Sequence, residues 1–194
     1  QKKLELEPTK HLAFDVYEHL EQSRISLSNY IDCNKDDIIF SPNPSTALNT
    51  VIKSLDLKKN DEILTTNHEY GALDKTWKFI CKKTGAKYIQ TDIPLPFLSE
   101  EDFIERLEAK ITSKTKIIFA SHITSSTGLI FPAKEICKIA KEKNILCIID
   151  GAHVPGHIDL DIKKLDPDIY TGACHKWMCS PKGTAFLYVK KELQ

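Results

Sequence analysis

Two near-continuous apolar runs, "KTKIIFASH" (residues 114–122) and "NILCIID" (residues 144–150), constrain the fold more than any other feature of the chain. A strand with one wet face alternates polar and apolar residues; strands this uniformly apolar are central strands of a parallel sheet covered on both faces. Between them "FPAKEICKIAKEKN" reads as a helix, with Pro132 near its first turn and Asn144 near its end.

The rest of the chain repeats this alternation. Leu12, Val16 and Leu20 recur at helical spacing, predicting an amphipathic helix over 12–31. "DDIIF" is a short strand, and the prolines of "SPNP" forbid helix until Ser45, where "STALNTVIKSL" begins, capped by Ser45 or an adjacent residue. "DEILTT" is a strand, "GALDKTWKFICKKTG" a helix stopped by Gly85, and "AKYIQTDI" a strand. Ser99 and Asp102 form a capping-box pattern ahead of "EEDFIERLEAKI". "PDIYTGA" and "GTAFLYVKK" close as strands, the last antiparallel or at an edge. This order predicts an α/β three-layer sandwich with a mostly parallel central sheet.

Composition narrows the partners. In 194 residues, 27 Lys and Arg balance 27 Asp and Glu, so no global field favours nucleic acid or an anionic membrane. No apolar run approaches the ~20 residues of a membrane helix. The six cysteines (Cys33, Cys81, Cys137, Cys147, Cys174, Cys179) form no CxxC pair, and Cys147 lies inside an apolar run, which points to a reducing, cytoplasmic compartment. A small molecule or another protein is the expected partner.

Ligands of open parallel sheets bind at the carboxyl ends of the strands. Polar groups follow the strand signals at "SPNPSTA", "NHEYGA", "SHITSSTG", "GAHVPG" and "ACHKW". In the last, Lys176 stands among Tyr170, Trp177 and Met178, company that predicts a partly enclosed side chain. Enclosure lowers a lysine's pKa and makes it a nucleophile; the plainer alternative is a lysine snorkelling past aromatic rings. Asp150 ends an apolar strand, where a carboxylate needs a cationic or hydrogen-bonding partner. A protonated heterocyclic nitrogen is such a partner, and a lysine with a pyridinium-binding aspartate is the pairing of pyridoxal phosphate chemistry. Ser45 and Thr46, at a helix N-terminus after a strand, are the phosphate-site candidates.

From Ser41 to Val189, and most specifically in "NHEYGA", "SHITSSTG", "DGAHVPG" and "TGACHKWMCSPKG", the chain resembles fold-type I pyridoxal phosphate enzymes of the class V aminotransferase group, in its isopenicillin N epimerase-like branch near the cysteine desulfurases. The resemblance implies that Lys176 is the Schiff-base lysine and that Asp150 pairs with the pyridine nitrogen. It implies that His153 contacts the ring's phenolic oxygen, with Ser125 serving that oxygen where relatives often carry asparagine. Tyr70 would stack on the cofactor face, its alternative being a partly buried core tyrosine, and His175 would reach the phosphate. Ala173 departs from relatives that carry serine or asparagine there. An amino-acid-like substrate and a homodimer follow from the same resemblance; epimerase, carbon-sulfur lyase or desulfurase, and aminotransferase all remain open.

An amino-acid carboxylate is typically clamped by a bidentate arginine. The two arginines here, Arg24 and Arg106, read as solvent-facing helix positions. Family members are much longer, and their clamp lies in a C-terminal small domain. The expectation is therefore a fragment or truncated form, residues 41–194 being the cofactor-binding large domain and 1–40 an N-terminal helix and lead-in strand, without the small domain. Its rival is a cofactor-binding or protein-interaction domain without turnover. A metal reading would use His153 with His157, or Cys174, His175 and Cys179; Pro155 and Gly156 spoil the helical spacing of the first set, and no fourth ligand is evident.

Overall fold

The computed structural model describes residues 2–194. Seven strands, β1 (Ile38–Ser41), β2 (Glu62–Thr66), β3 (Lys87–Thr91), β4 (Thr115–Ser121), β5 (Leu146–Gly151), β6 (Ile169–Ala173) and β7 (Ala185–Val189), form one sheet in the order β1-β7-β6-β5-β4-β2-β3. All pairs are parallel except those of β7, which runs antiparallel to both β1 and β6. The last strand is therefore antiparallel as expected but interior, held between the first strand and β6.

The uniform apolar runs are explained by two cores, one on each face of the sheet. Along β4, Ile118 and Ala120 enter one core and Ile117 and Phe119 the other; along β5, Cys147 and Ile149 alternate in the same way with Ile148. Period-two alternation thus buries both sets of side chains, from Ile117 to Ser121 and from Cys147 to Gly151, instead of every second residue. Helices α4 (Pro44–Ser54) and α5 (Gly71–Thr84) cover one face, with Leu48, Ile52, Leu73 and Trp77 fully buried. Trp77 packs on Phe119 at 5.6 Å between ring centroids. The other face is covered by α3 (Val16–Tyr30), α6 (Glu100–Glu108), α7 (Ala133–Glu142) and the short α8 (Ile162–Leu165), through Leu27, Phe103, Leu107, Ile136 and Ile162. This is the predicted three-layer sandwich.

Local signals hold with adjustments. Gly85 ends α5 in the left-handed conformation at φ 80°, as its position predicts. Helix α4 starts one residue earlier than predicted: Pro44 occupies its first turn, where its missing N–H costs nothing, and Asn43, not Ser45, is the cap, accepting from the Thr46 amide at 2.8 Å. Ser99 caps α6 through the Asp102 amide at 3.1 Å, but Asp102 turns to Arg106 (2.7 Å) instead of closing the box. The opening helix begins earlier than Leu12, as α1 (Lys2–Leu6) and α2 (Pro8–Lys10), and passes through a π-helical turn at His11–Asp15 before α3. Among the described residues, no helix is long and apolar enough to cross a membrane.

Candidate active site

Because β1, β2, β4, β5 and β6 point the same way, their carboxyl ends meet along one edge of the sheet. There Asn43, Pro44, Ser45, Tyr70, Ser121, Ile123, Ser125, Asp150, Ala152, His153, His175 and Lys176 line a cavity of about 360 Å³. Of the sequence candidates, the structure brings together Ser45, Tyr70, Ser125, Asp150, His153, His175 and Lys176. Thr46 is the exception. With the helix starting at Pro44, its amide is spent on the Asn43 cap and its exposed side chain lies outside the cavity lining.

Asp150 is 4% exposed. Among the described residues one hydrogen bond reaches its carboxylate, from the Ala152 amide to Oδ1 at 3.0 Å. Burial raises its pKa, against the pull of that amide and of the Lys176 charge. Lys176 is exposed as a residue, as is neighbouring Trp177 at 52%, so its enclosure is only partial, as predicted. Its amine end nevertheless sits against the cavity wall. That desolvation lowers its pKa and the Asp150 carboxylate opposes the shift.

His153 lies between Lys176 and Trp177: its Nε2 is 3.1 Å from Lys176 Nζ, and its Nδ1 accepts from the Trp177 indole at 3.2 Å. Desolvation, then the Lys176 and His157 charges, lower its pKa. His175 donates from Nδ1 to the Thr184 carbonyl at 2.8 Å, which fixes the ring and leaves Nε2 free of that contact. Tyr70 precedes α5 and is 46% exposed at the cavity, so the core-tyrosine alternative does not hold.

Sequence reasoning missed a supporting layer. Ser121 lines the cavity and donates both its amide (2.9 Å) and hydroxyl (2.7 Å) to Glu69, which also accepts from Thr66 at 2.6 Å. Burial, with the Asp150 charge adding, raises Glu69 to about 7. Behind Asp150, His122 meets the buried Tyr170 hydroxyl at 3.1 Å and is held at a pKa of about 4 by burial. "NHEYGA" and "SHITSSTG" had marked the right junctions, but not that Glu69 and Ser121 join them.

Neither arginine lines the cavity: Arg24 faces Glu21 at 3.6 Å and Arg106 is tied to Asp102, both partly covered instead of solvent-facing. Among the described residues no three His, Cys, Asp or Glu side chains are grouped to hold a metal ion.

The family profile described as aminotransferase class-V matches residues 6–194. Isopenicillin N epimerase of Streptomyces clavuligerus is 33% identical over 186 residues, 96% of this chain and 47% of that protein. A probable cysteine desulfurase of Pyrococcus abyssi is 31% identical over 177 residues, covering 89% of this chain and 42% of its own length. The chain thus spans about half the length of the curated relatives it matches. Among solved structures, the complex of the cystine C-S lyase C-DES with its product cysteine persulfide superposes with a TM-score of 0.86 at 25% identity, over 92% of this chain and 48% of that one. A cysteine desulfurase from Thermococcus onnurineus gives 0.80 at 28% identity, over 89% and 42%.

Proposed function

This chain belongs to the aminotransferase class-V family, whose cofactor is pyridoxal phosphate, and on that premise we propose that it carries the cofactor-binding half of an enzyme acting on an amino acid or similar amine through Lys176. The carrying observation is that, among the described residues, a buried carboxylate with one oxygen free of hydrogen bonds, Asp150, and a lysine of lowered pKa face one cavity.

The residues fit the cofactor. The second oxygen of Asp150 has no protein partner among the described residues, which suits a protonated ring nitrogen and not a structural role. At the other end, the first amides of a helix lack carbonyl partners; Asn43 takes that of Thr46, and the Ser45 amide and hydroxyl remain for a phosphate, with His175 on the same cavity lining. Ser45 is kept in this role and Thr46 is not. When bound, pyridoxal phosphate supplies an aldehyde that an amine can condense with and a pyridinium ring that weakens bonds to a substrate's α-carbon.

The chain's own groups then divide the work. Lys176 Nζ would be the amine that holds the cofactor through its aldehyde, and when free it would be the base placed to take a substrate's α-proton. Asp150 would hold the ring nitrogen in its protonated form, and its buried setting would strengthen that ion pair. Tyr70 would cover a ring face, while His153 and Ser125 would serve the phenolic oxygen. Epimerisation, carbon-sulfur cleavage and amino transfer share these steps, and relatives named isopenicillin N epimerase and cysteine desulfurase set that range. The reading carries with it a homodimer and a reducing cytoplasmic compartment, the latter supported by six cysteines that are all free thiols.

A second reading, cofactor binding or protein interaction without turnover, is favoured by one observation: no arginine lines the cavity to clamp a substrate carboxylate. Visible absorbance with added pyridoxal phosphate, before and after borohydride, with Lys176→Ala alongside, tests the site. A band that borohydride fixes onto Lys176 and the variant cannot form supports it; identical behaviour of the two proteins overturns it. Turnover of amino acids by wild type then separates the two readings.

A further inference from the structure

His157 and Trp177 belong to none of the roles above, although the "HVPGH" loop was conspicuous in the sequence. In the structure they form one assembly with the site. The ring of His157 stacks on the Trp177 indole, centroids 4.4 Å apart and planes at 33°. His157 Nδ1 lies 3.2 Å from the His153 carbonyl, an oxygen that only accepts, so Nδ1 carries the proton. The stacked indole then directs its N–H at His153 Nδ1, 3.2 Å away, and His153 Nε2 stands 3.1 Å from Lys176 Nζ.

An indole nitrogen donates and never accepts. His153 Nδ1 must therefore offer a lone pair, which excludes both the Nδ1–H tautomer and the doubly protonated imidazolium. The remaining form carries its hydrogen on Nε2, aimed at Lys176 Nζ. An ammonium has only hydrogens to present to that N–H, whereas a neutral amine has a lone pair. We propose that Trp177 is a positioning residue that fixes His153 as its Nε2–H tautomer, so that the imidazole donates to Lys176 Nζ and selects the neutral amine, the form that attacks an aldehyde. The tautomer stands on contacts within the chain; only its meaning for catalysis rests on the reading of Lys176 given above.

The charged groups that bear on this chain of contacts are few. Lys176 and His157 face His153, and Asp150 acts on Lys176 in the opposite sense, favouring the ammonium. The indole therefore works with the desolvation of Lys176 and against the Asp150 carboxylate, and its removal leaves desolvation alone to oppose that carboxylate.

The test uses the chain without added cofactor. In ring-nitrogen NMR, wild-type His153 is expected to show a protonated Nε2 and an unprotonated Nδ1. Trp177→Phe retains a ring for His157 to stack on and loses only the donor; His153 should then average between tautomers, and amine-reactive labelling of Lys176 near neutral pH, read by peptide mass spectrometry, should slow several-fold. A wild-type histidine that already averages, or a variant whose tautomer and labelling match wild type, overturns the proposal. If the variant does not fold, a wild-type pH titration decides. Protonating His153 must break the indole contact, so the Trp177 Nε1–H resonance is expected to move in step with the imidazole, and independence of the two refutes the assignment. Failure of borohydride trapping on wild type would instead strike the cofactor reading and leave the tautomer result standing.

Discussion

Glu69 holds Ser121 by both of its donors, the amide at 2.9 Å and the hydroxyl at 2.7 Å, on one carboxylate oxygen. The contact ties the loop after β2 to the last residue of β4 and so fixes one wall of the cavity. Burial lifts the carboxyl from 4.5 to about 7. Between those values the folded chain holds a proton that the unfolded chain releases, so stability falls as pH rises through the window and is flat on either side. The drop is at most about 3.5 kcal/mol, from about 1.4 kcal/mol per pKa unit. In Glu69→Gln the amide oxygen still accepts from Ser121 and the Thr66 hydroxyl can reverse to accept from the new NH2 group. Urea midpoints across pH 4–8 should flatten in this variant, and an unchanged slope would assign the effect to another group.

Asn43 caps α4 and also lines the cavity. Asn43→Ala frees the Thr46 amide and should cost about 1 kcal/mol by chemical denaturation. Under the proposed function it should also weaken pyridoxal phosphate binding, because the same turn presents Ser45. A stability loss with unaltered cofactor affinity would detach the phosphate from this helix.

The lettering exposed the fold and much of the site for physical reasons. Ile117 to Ala120 could read as doubly buried because each side chain meets one of two cores, and Asp150 stood out as a charge at the end of such a run. Lys176 was found through its aromatic neighbours, which predicted the partial enclosure it has. What stayed hidden depends on partners distant in sequence. Glu69 meets Ser121 across 52 positions, and Tyr30 accepts from the Gly156 amide across 126; no local period encodes either. Thr46 failed on a smaller scale: a helix begun one residue earlier turned it from the cavity. Strand β7 was legible as a strand, but its place between β1 and β6 is set by pairings at both flanks.

Asp150 trades stability for chemistry. Its carboxylate is buried on a single hydrogen bond and its pKa is raised by that burial. Asp150→Asn keeps the shape and relieves the charge, so the cofactor-free chain should be as stable as wild type or more so, by up to about 1 kcal/mol in chemical denaturation. Turnover should fall about 100-fold or more, since an amide cannot balance a protonated ring nitrogen. A variant both less stable and fully active would mean that the carboxylate serves the fold.

Gly156 lets the "HVPGH" loop reach the lysine turn. Its φ is 80°, a conformation L side chains rarely adopt, and a Cβ there would lie 2.6 Å from the backbone of Trp177 and Met178. Gly156→Ala must therefore bend the loop or push the turn that follows Lys176. The cost should be about 1–3 kcal/mol. The displacement has its own optical signal: Trp77 is fully buried and Trp177 is 52% exposed, so quenching by iodide reports Trp177 almost alone. Quenching should rise in the variant as the indole leaves His157 and His153, and slower amine labelling of Lys176 should accompany it. Loss of stability with unchanged quenching would show that the strain is absorbed within the loop and that Gly156 does not position the indole.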